Sequence, residues 1–158
     1  MILTAMEILE RCRRAEAEKR RLQEKVDMIR DMAVRMTSSL SGAGARSTGG
    51  GDHMAAMMAR LEAAEQDVQR RDREYTAEVA AACQLLDRLP PLECSILTRY
   101  YIRGETLRAI SKGMGYSYGY ICNSKTTACR QLKDLGEGEV MRLLPTWYIM
   151  CAQKCEPM

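Results

Sequence analysis

Leu22, Val26, Ile29, Ala33 and Met36 step by four, three, four and three through a stretch otherwise dominated by Arg, Lys, Glu, Ala and Met. That spacing is a coiled-coil seam. With no Gly or Pro to interrupt them, residues 5–36 are predicted to form one long helix, its seam thinning toward Leu9 and Cys12. A second stripe follows. Met54, Leu61, Val68, Tyr75, Ala82 and Leu89 fall seven apart, with Met58, Val79 and Leu86 strengthening the same face. Asp52 stands where it caps this helix. Between the stripes, residues 37–52 turn to Ser and Gly, the composition of a flexible linker. A phosphate-binding loop needs a preceding strand and a Gly-Lys-Ser/Thr ending, and neither is present. Two long amphipathic helices on one linker predict an antiparallel, coiled-coil-like hairpin over residues 1–89. The same stripes also suit pairing between two chains, which leaves a homodimer open.

Pro90-Pro91 ends the second helix, because a Pro pair cannot continue the backbone hydrogen-bond ladder. Residues 90–136 then divide into three short helices. The first starts at Pro91, carries Leu92, Ile96, Leu97, Tyr100 and Tyr101, and ends at Gly104. Thr106 caps the second, which turns Leu107, Ile110 and Met114 inward, and Gly115 makes the tight turn. Ser117 caps the third, which buries Ile121, Ala128, Leu132 and Leu135 and ends before Gly136. Tyr116 is assigned to the core. A short helix, a glycine turn and a longer capped helix make a helix-turn-helix. The predicted fold is therefore all-α: a long helical hairpin, then a three-helix helix-turn-helix module. Residues 137–158 form an apolar C-terminal tail that includes Leu143, Leu144, Trp147 and Tyr148, expected to dock on the module or on a partner.

Composition supports helices over sheets. Aromatic residues make up only 5% of the 158, and there is no Phe. The 28% of charged residues and the shortness of every apolar run exclude a membrane-spanning chain. Seven Cys without a C-x-x-C pair, and no secretory signal, point to free thiols in the cytoplasm. The net charge is +3, and residues 90–136 alone hold seven basic against three acidic side chains. A polyanion is best accommodated there.

Double-stranded DNA is the polyanion that this geometry fits. A recognition helix offers the residues near its N-terminus to base edges in the major groove. With Ile121 turned to the core, Gly119 and Asn123 project to the opposite side, flanked by Tyr118 and Cys122. Asn123 has the donor and acceptor for a bidentate pair with adenine, and Gly119 lets the backbone come close. Arg99, Arg103, Arg108, Lys112, Lys125, Arg130 and Lys133 supply phosphate contacts. Tyr118 and Tyr120 either touch phosphates or cover the helix. No cofactor, metal or catalytic role is read. His53 is the only His and has no partner at a ligand spacing, and no Ser/His/Asp set or paired acid site is evident. The chain is therefore not expected to be an enzyme.

Residues Leu92 to Ser111, followed by Met114-Gly115-Tyr116-Ser117 and then Ile121, Ala128 and Leu132, resemble the fourth region of bacterial sigma factors. In that family the module reads the −35 promoter element and touches RNA polymerase, so the resemblance implies both partners. The order of long helix, linker, second long helix and module resembles small phage- and prophage-encoded proteins of this kind, related to late-gene transcription activators. Tyr118 and Gly119 stand where sigma factors typically offer Arg and Glu, which points away from a standard −35 element. Gly113 stands where a helix former is usual, at a cost of about 1 kcal/mol against Ala. Two other functions compete with a DNA-reading regulator: an interaction protein for RNA polymerase or a phage protein, and a small terminase-like DNA-packaging binder.

Overall fold

The computed structural model describes residues 3–42 and 50–154. All of its regular elements there are helical, in the order α1 (Ala5–Gly42), α2 (Gly50–Leu86), α3 (Pro91–Leu97), a π-helical turn (Thr98–Ile102), α4 (Leu107–Met114), α5 (Tyr118–Lys133), α6 (Glu137–Leu143) and α7 (Thr146–Lys154). Among the described residues no helix is long and apolar enough to cross a membrane.

Residues 37–42 and 50–52 of the expected linker are helical. Helix α1 continues through Thr37 and Ser38, whose hydroxyls donate to the Val34 carbonyl at 2.8 and 3.0 Å. Bonded back to the preceding turn, these side chains do not compete with the helix for backbone groups. Asp52 does not cap α2 but lies inside its first turn, where its charge favours the helix dipole. Residues 43–49 of the expected linker lie outside the described residues.

The chain forms two compact units: Met1–Ala17 with Glu74–Met158, and Glu18–Arg73. In the second unit the middle of α1 pairs with the first part of α2. Val26 and Ile29 are buried with Met57 and Ala64, and Ala33, Met36, Leu61 and Val68 pack around them. The ion pairs Glu18–Arg71 (3.1 Å) and Lys19–Asp72 (3.2 Å) lie at one end of the pairing and Arg30–Glu65 (2.6 Å) further along, a later residue of α1 meeting an earlier one of α2, so the pairing is antiparallel. All of these pairs are at least part-exposed, and each is worth about 1 kcal/mol or less. The seam on α1 is the expected one. On α2 the stripe gains a different companion. Met58 is 51% exposed, while Met57 and Ala64 turn inward. Half-buried Met54, Leu61 and Val68 alternate with buried Met57 and Ala64 at steps of three and four, which keeps the stripe on one side of the helix.

The first unit contains two clusters. In one, Ile8, Leu9 and Cys12 from the start of α1 lie against Ala81, Ala82, Leu85 and Leu86 of α2, with Leu97, Tyr101, Ala128 and Leu132. The other joins one isoleucine from each helix of the module: Ile96, Ile110 and Ile121, all fully buried. Full burial of such a side chain contributes about 1.5–3 kcal/mol. The compact units part within α1 and α2 rather than at Pro90, because both ends of the paired helices carry apolar residues that belong to the module's core. Segment 137–154 docks here too, as helices α6 and α7. Val140, Leu144, Tyr148 and Ala152, at steps of four, join the first cluster.

Burial also fixes the chemistry of several groups here. The Tyr148 hydroxyl donates to the Glu78 carboxylate. Burial pushes the Glu78 carboxyl above its ordinary value, partly offset by that hydrogen bond and by Arg11 and Arg14. The Cys12 thiol, wholly buried, is pushed up to about 12, first by desolvation and then by Glu78. The described cysteines are all free.

Candidate nucleic-acid interface

The module is held in shape by four short-range devices that its sequence specifies. The Ala109 N–H donates to Thr106 Oγ1 at 3.2 Å and caps α4. Gly115 then takes φ 73°, a left-handed conformation that ends α4 and reverses the chain. The Ser111 hydroxyl donates to the Tyr116 carbonyl across the turn at 2.6 Å. The Tyr120 N–H donates to Ser117 Oγ at 3.2 Å and caps α5. Each cap is worth about 1 kcal/mol.

Helix α5 buries Ile121, Ala128, Cys129 and Leu132. At 100° per residue, Gly119, Asn123, Thr126 and Arg130 then run along the opposite side, and all four are exposed. Tyr118 and Cys122 flank this strip on one side and Tyr120 on the other. Of the four expected base-reading residues, Gly119 and Asn123 lie on the strip itself, and exposed Tyr118 and half-buried Cys122 border it. A Cβ at Gly119 would meet nothing within 4 Å, so the strip is open to a close partner there. Tyr118 bonds the Cys122 thiol, which raises its phenol above the ordinary value, while the nearby Arg108 lowers it. The Arg108 guanidinium lies 5.1 Å from the Tyr118 ring centre.

Tyr116 is not a core residue. It is 43% exposed, and its ring stacks on Tyr120 with centres 5.0 Å apart and planes 25° from parallel. Its carbonyl is fixed by Ser111, and the turn at Gly115 leads its side chain along α5 rather than under it.

The expected phosphate ligands divide. Arg103, Arg108, Lys112, Arg130 and Lys133 are exposed. Arg108 and Lys112 border an open depression of 430 Å³ with Thr106 and Tyr118, between α4 and the start of α5. Arg99 and Lys125 are turned inward instead. The Arg99 Nη1 is 3.9 Å from the Glu105 carboxylate, and a Cβ at Gly113 would lie 2.6 Å from that same nitrogen. Gly113 leaves room for this guanidinium. The Lys125 ammonium sits 4.5 Å from the centre of the Tyr100 ring and 5.6 Å from that of Tyr101.

Tyr100 and Tyr101 belong to the π-helical turn. Its wider hydrogen bond, Arg103 N–H to the Thr98 carbonyl at 3.1 Å, leaves other carbonyls to find partners. The Ile102 carbonyl accepts from the Tyr75 hydroxyl at 2.8 Å, and the Tyr100 carbonyl accepts from Arg13. The Arg13 guanidinium also lies 3.8 Å from the Tyr100 ring centre, a cation–π contact. Arg13 is the residue that sequence reasoning missed. It is 87 positions away from Tyr100 and looks like any other charge on α1.

Residues 85–134 match the family model described as Sigma-70, region 4, a helix-turn-helix type of DNA-binding domain. The matched segment runs from the end of α2 to the end of α5 and so covers the whole three-helix module. No curated protein and no solved structure matches the chain.

Proposed function

We propose that this chain is a sequence-specific transcription regulator of phage or prophage type that binds duplex DNA through α5, and that it acts by binding rather than as an enzyme. The observation that carries this reading is the outward strip of α5: Gly119 and Asn123 are exposed opposite fully buried Ile121, at the start of a capped helix behind a glycine turn. That is the face a recognition helix offers to base edges. The family match over the same residues supports it independently. In this reading Asn123 pairs with adenine, and Tyr118, Gly119 and Cys122 line the approach. Arg103, Arg108, Lys112 and Arg130 hold phosphates, which fix register without reading sequence.

The test is selection of duplexes from a random library by the purified full chain, at about 150 mM salt, where non-specific binding is weakened. An enriched motif is expected, and a palindrome with half-sites about one helical turn apart would make the protein a dimer on DNA. No enrichment by a folded, helical protein overturns the reading and favours RNA polymerase or a phage protein as the partner.

A further inference from the structure

Resting on the duplex-reading proposal, the chemistry of α5 narrows what is read: we propose that this face recognises thymine methyl groups, so that its target is an A·T-rich step. In the major groove guanine is matched by Arg or Lys, cytosine N4 by Glu or Asp, adenine by Asn or Gln, and thymine by apolar contact with its 5-methyl group. From Tyr118 to Ser124, the first two turns of α5, there is no charged side chain. Lys125 is the first, and its ammonium is on the Tyr100 ring. Arg130 lies about three turns along the helix, within reach of the backbone rather than of the first bases read. The first two turns of α5 thus carry no charged group of their own to match guanine or cytosine, and the neighbouring Arg108 and Lys112 come from α4.

Apolar groups stand in their place. Tyr116, Tyr118 and Tyr120 are 43%, 46% and 45% exposed, three of the nine large exposed hydrophobic side chains among the described residues, within five positions. The stacked Tyr116–Tyr120 pair makes a double aromatic plate beside the strip, with Tyr118 on its other side. Thr126 adds a methyl, because its hydroxyl donates to the Cys122 carbonyl at 3.0 Å and is turned back to its own helix. Asn123, whose side-chain amide can donate and accept in bidentate fashion, matches the adenine of the same base pairs. Arg108 and Lys112 beside Tyr118 make the surroundings suited to a polyanion rather than to an apolar protein surface.

The experiment uses the duplex enriched by selection and replaces its thymines with deoxyuridine, which removes the methyl and keeps the pairing and the O4 acceptor. Affinity is expected to fall about fourfold for each contacted methyl, the ratio that burial of one such group yields. Substitutions outside the protected footprint should leave it unchanged. The double variant Tyr118→Ser with Tyr120→Ser should bind the thymine duplex weakly and lose the preference over uracil. Equal binding of both duplexes by the unaltered protein overturns the inference and leaves duplex reading standing. So does an enriched site made only of G·C pairs. Absence of any enriched site overturns both proposals. The deoxyuridine comparison needs no variant, so misfolding of the double variant does not blunt it.

Discussion

Gly113 and Gly115 stand two residues apart, and they are glycine for different reasons. Gly115 holds φ 73°, which costs another L-residue about 1–2 kcal/mol. Gly115→Ala is expected to lower stability by that amount, read as a shifted urea midpoint at constant slope. Gly113 is helical and crowded only by the far end of Arg99, which can swing aside. Gly113→Ala is therefore expected to gain up to about 1 kcal/mol of helix propensity in the same measurement. On the outward face, Arg130→Ala should weaken all duplexes alike and reduce the slope of log affinity against log salt by about one, in titrations at several salt concentrations. Lys125→Ala should change that slope less, since its ammonium already faces Tyr100. At this scale the sequence revealed what local chemistry decides. Thr106, Gly115 and Ser117 each act within three or four residues of themselves. It could not show that Tyr116 faces out or that Lys125 turns in, because those outcomes depend on which ring or carbonyl arrives from elsewhere.

Helix α7 is tied to α2 by the hydrogen bond from Tyr148 to Glu78. Burial raises the Glu78 carboxyl above its ordinary value of 4.5. Folding therefore favours the protonated form: its contribution is fully present below the ordinary value and is lost as pH rises through the raised one. Glu78→Gln keeps an acceptor for Tyr148 without the charge. It should stabilise the protein at neutral pH, with the gain shrinking to nothing as pH falls below about 4.5, in denaturation followed across pH. The position was hard to read because Glu78 resembles the solvated charges around it. Elsewhere, periodicity predicted both long helices and the α1 seam correctly. It chose Met58 over Met57 because both lie beside the stripe, and only the facing helix decides between three and four residues. Composition misread Thr37 and Ser38 because it ignores hydroxyls that bond back to their own helix.

The two compact units have cores with no residue in common: Val26, Ile29, Met57 and Ala64 in one, and the clusters of Leu9, Leu86 and Leu132 and of Ile96, Ile110 and Ile121 in the other. The ends of the 18–73 unit are held side by side by the Glu18–Arg71 pair at 3.1 Å. Replacing residues 18–73 with a short Gly/Ser loop is expected to leave the remainder folded, with cooperative thermal unfolding and duplex affinity within a few-fold of the full chain. Loss of cooperative unfolding would show that the two units depend on each other. The sequence favoured a cut at Pro90 because Pro ends a helix, whereas units are divided by which apolar faces meet, over separations no local pattern records.

Cys12 is wholly enclosed, and its thiol is pushed up to about 12, while Cys83 and Cys151 are exposed. Alkylation needs a thiolate that the reagent can reach. Exposed Cys151 should therefore react promptly in the native protein, Cys83 more slowly because partial burial and Asp87 raise its thiol above the ordinary value, and Cys12 only during the moments when its unit opens. Its labelling rate is thus a built-in clock for that opening, readable by mass spectrometry without any probe. A ligand that binds only the folded state makes openings rarer. Cognate duplex should slow that clock while leaving Cys83 and Cys151 at their former pace.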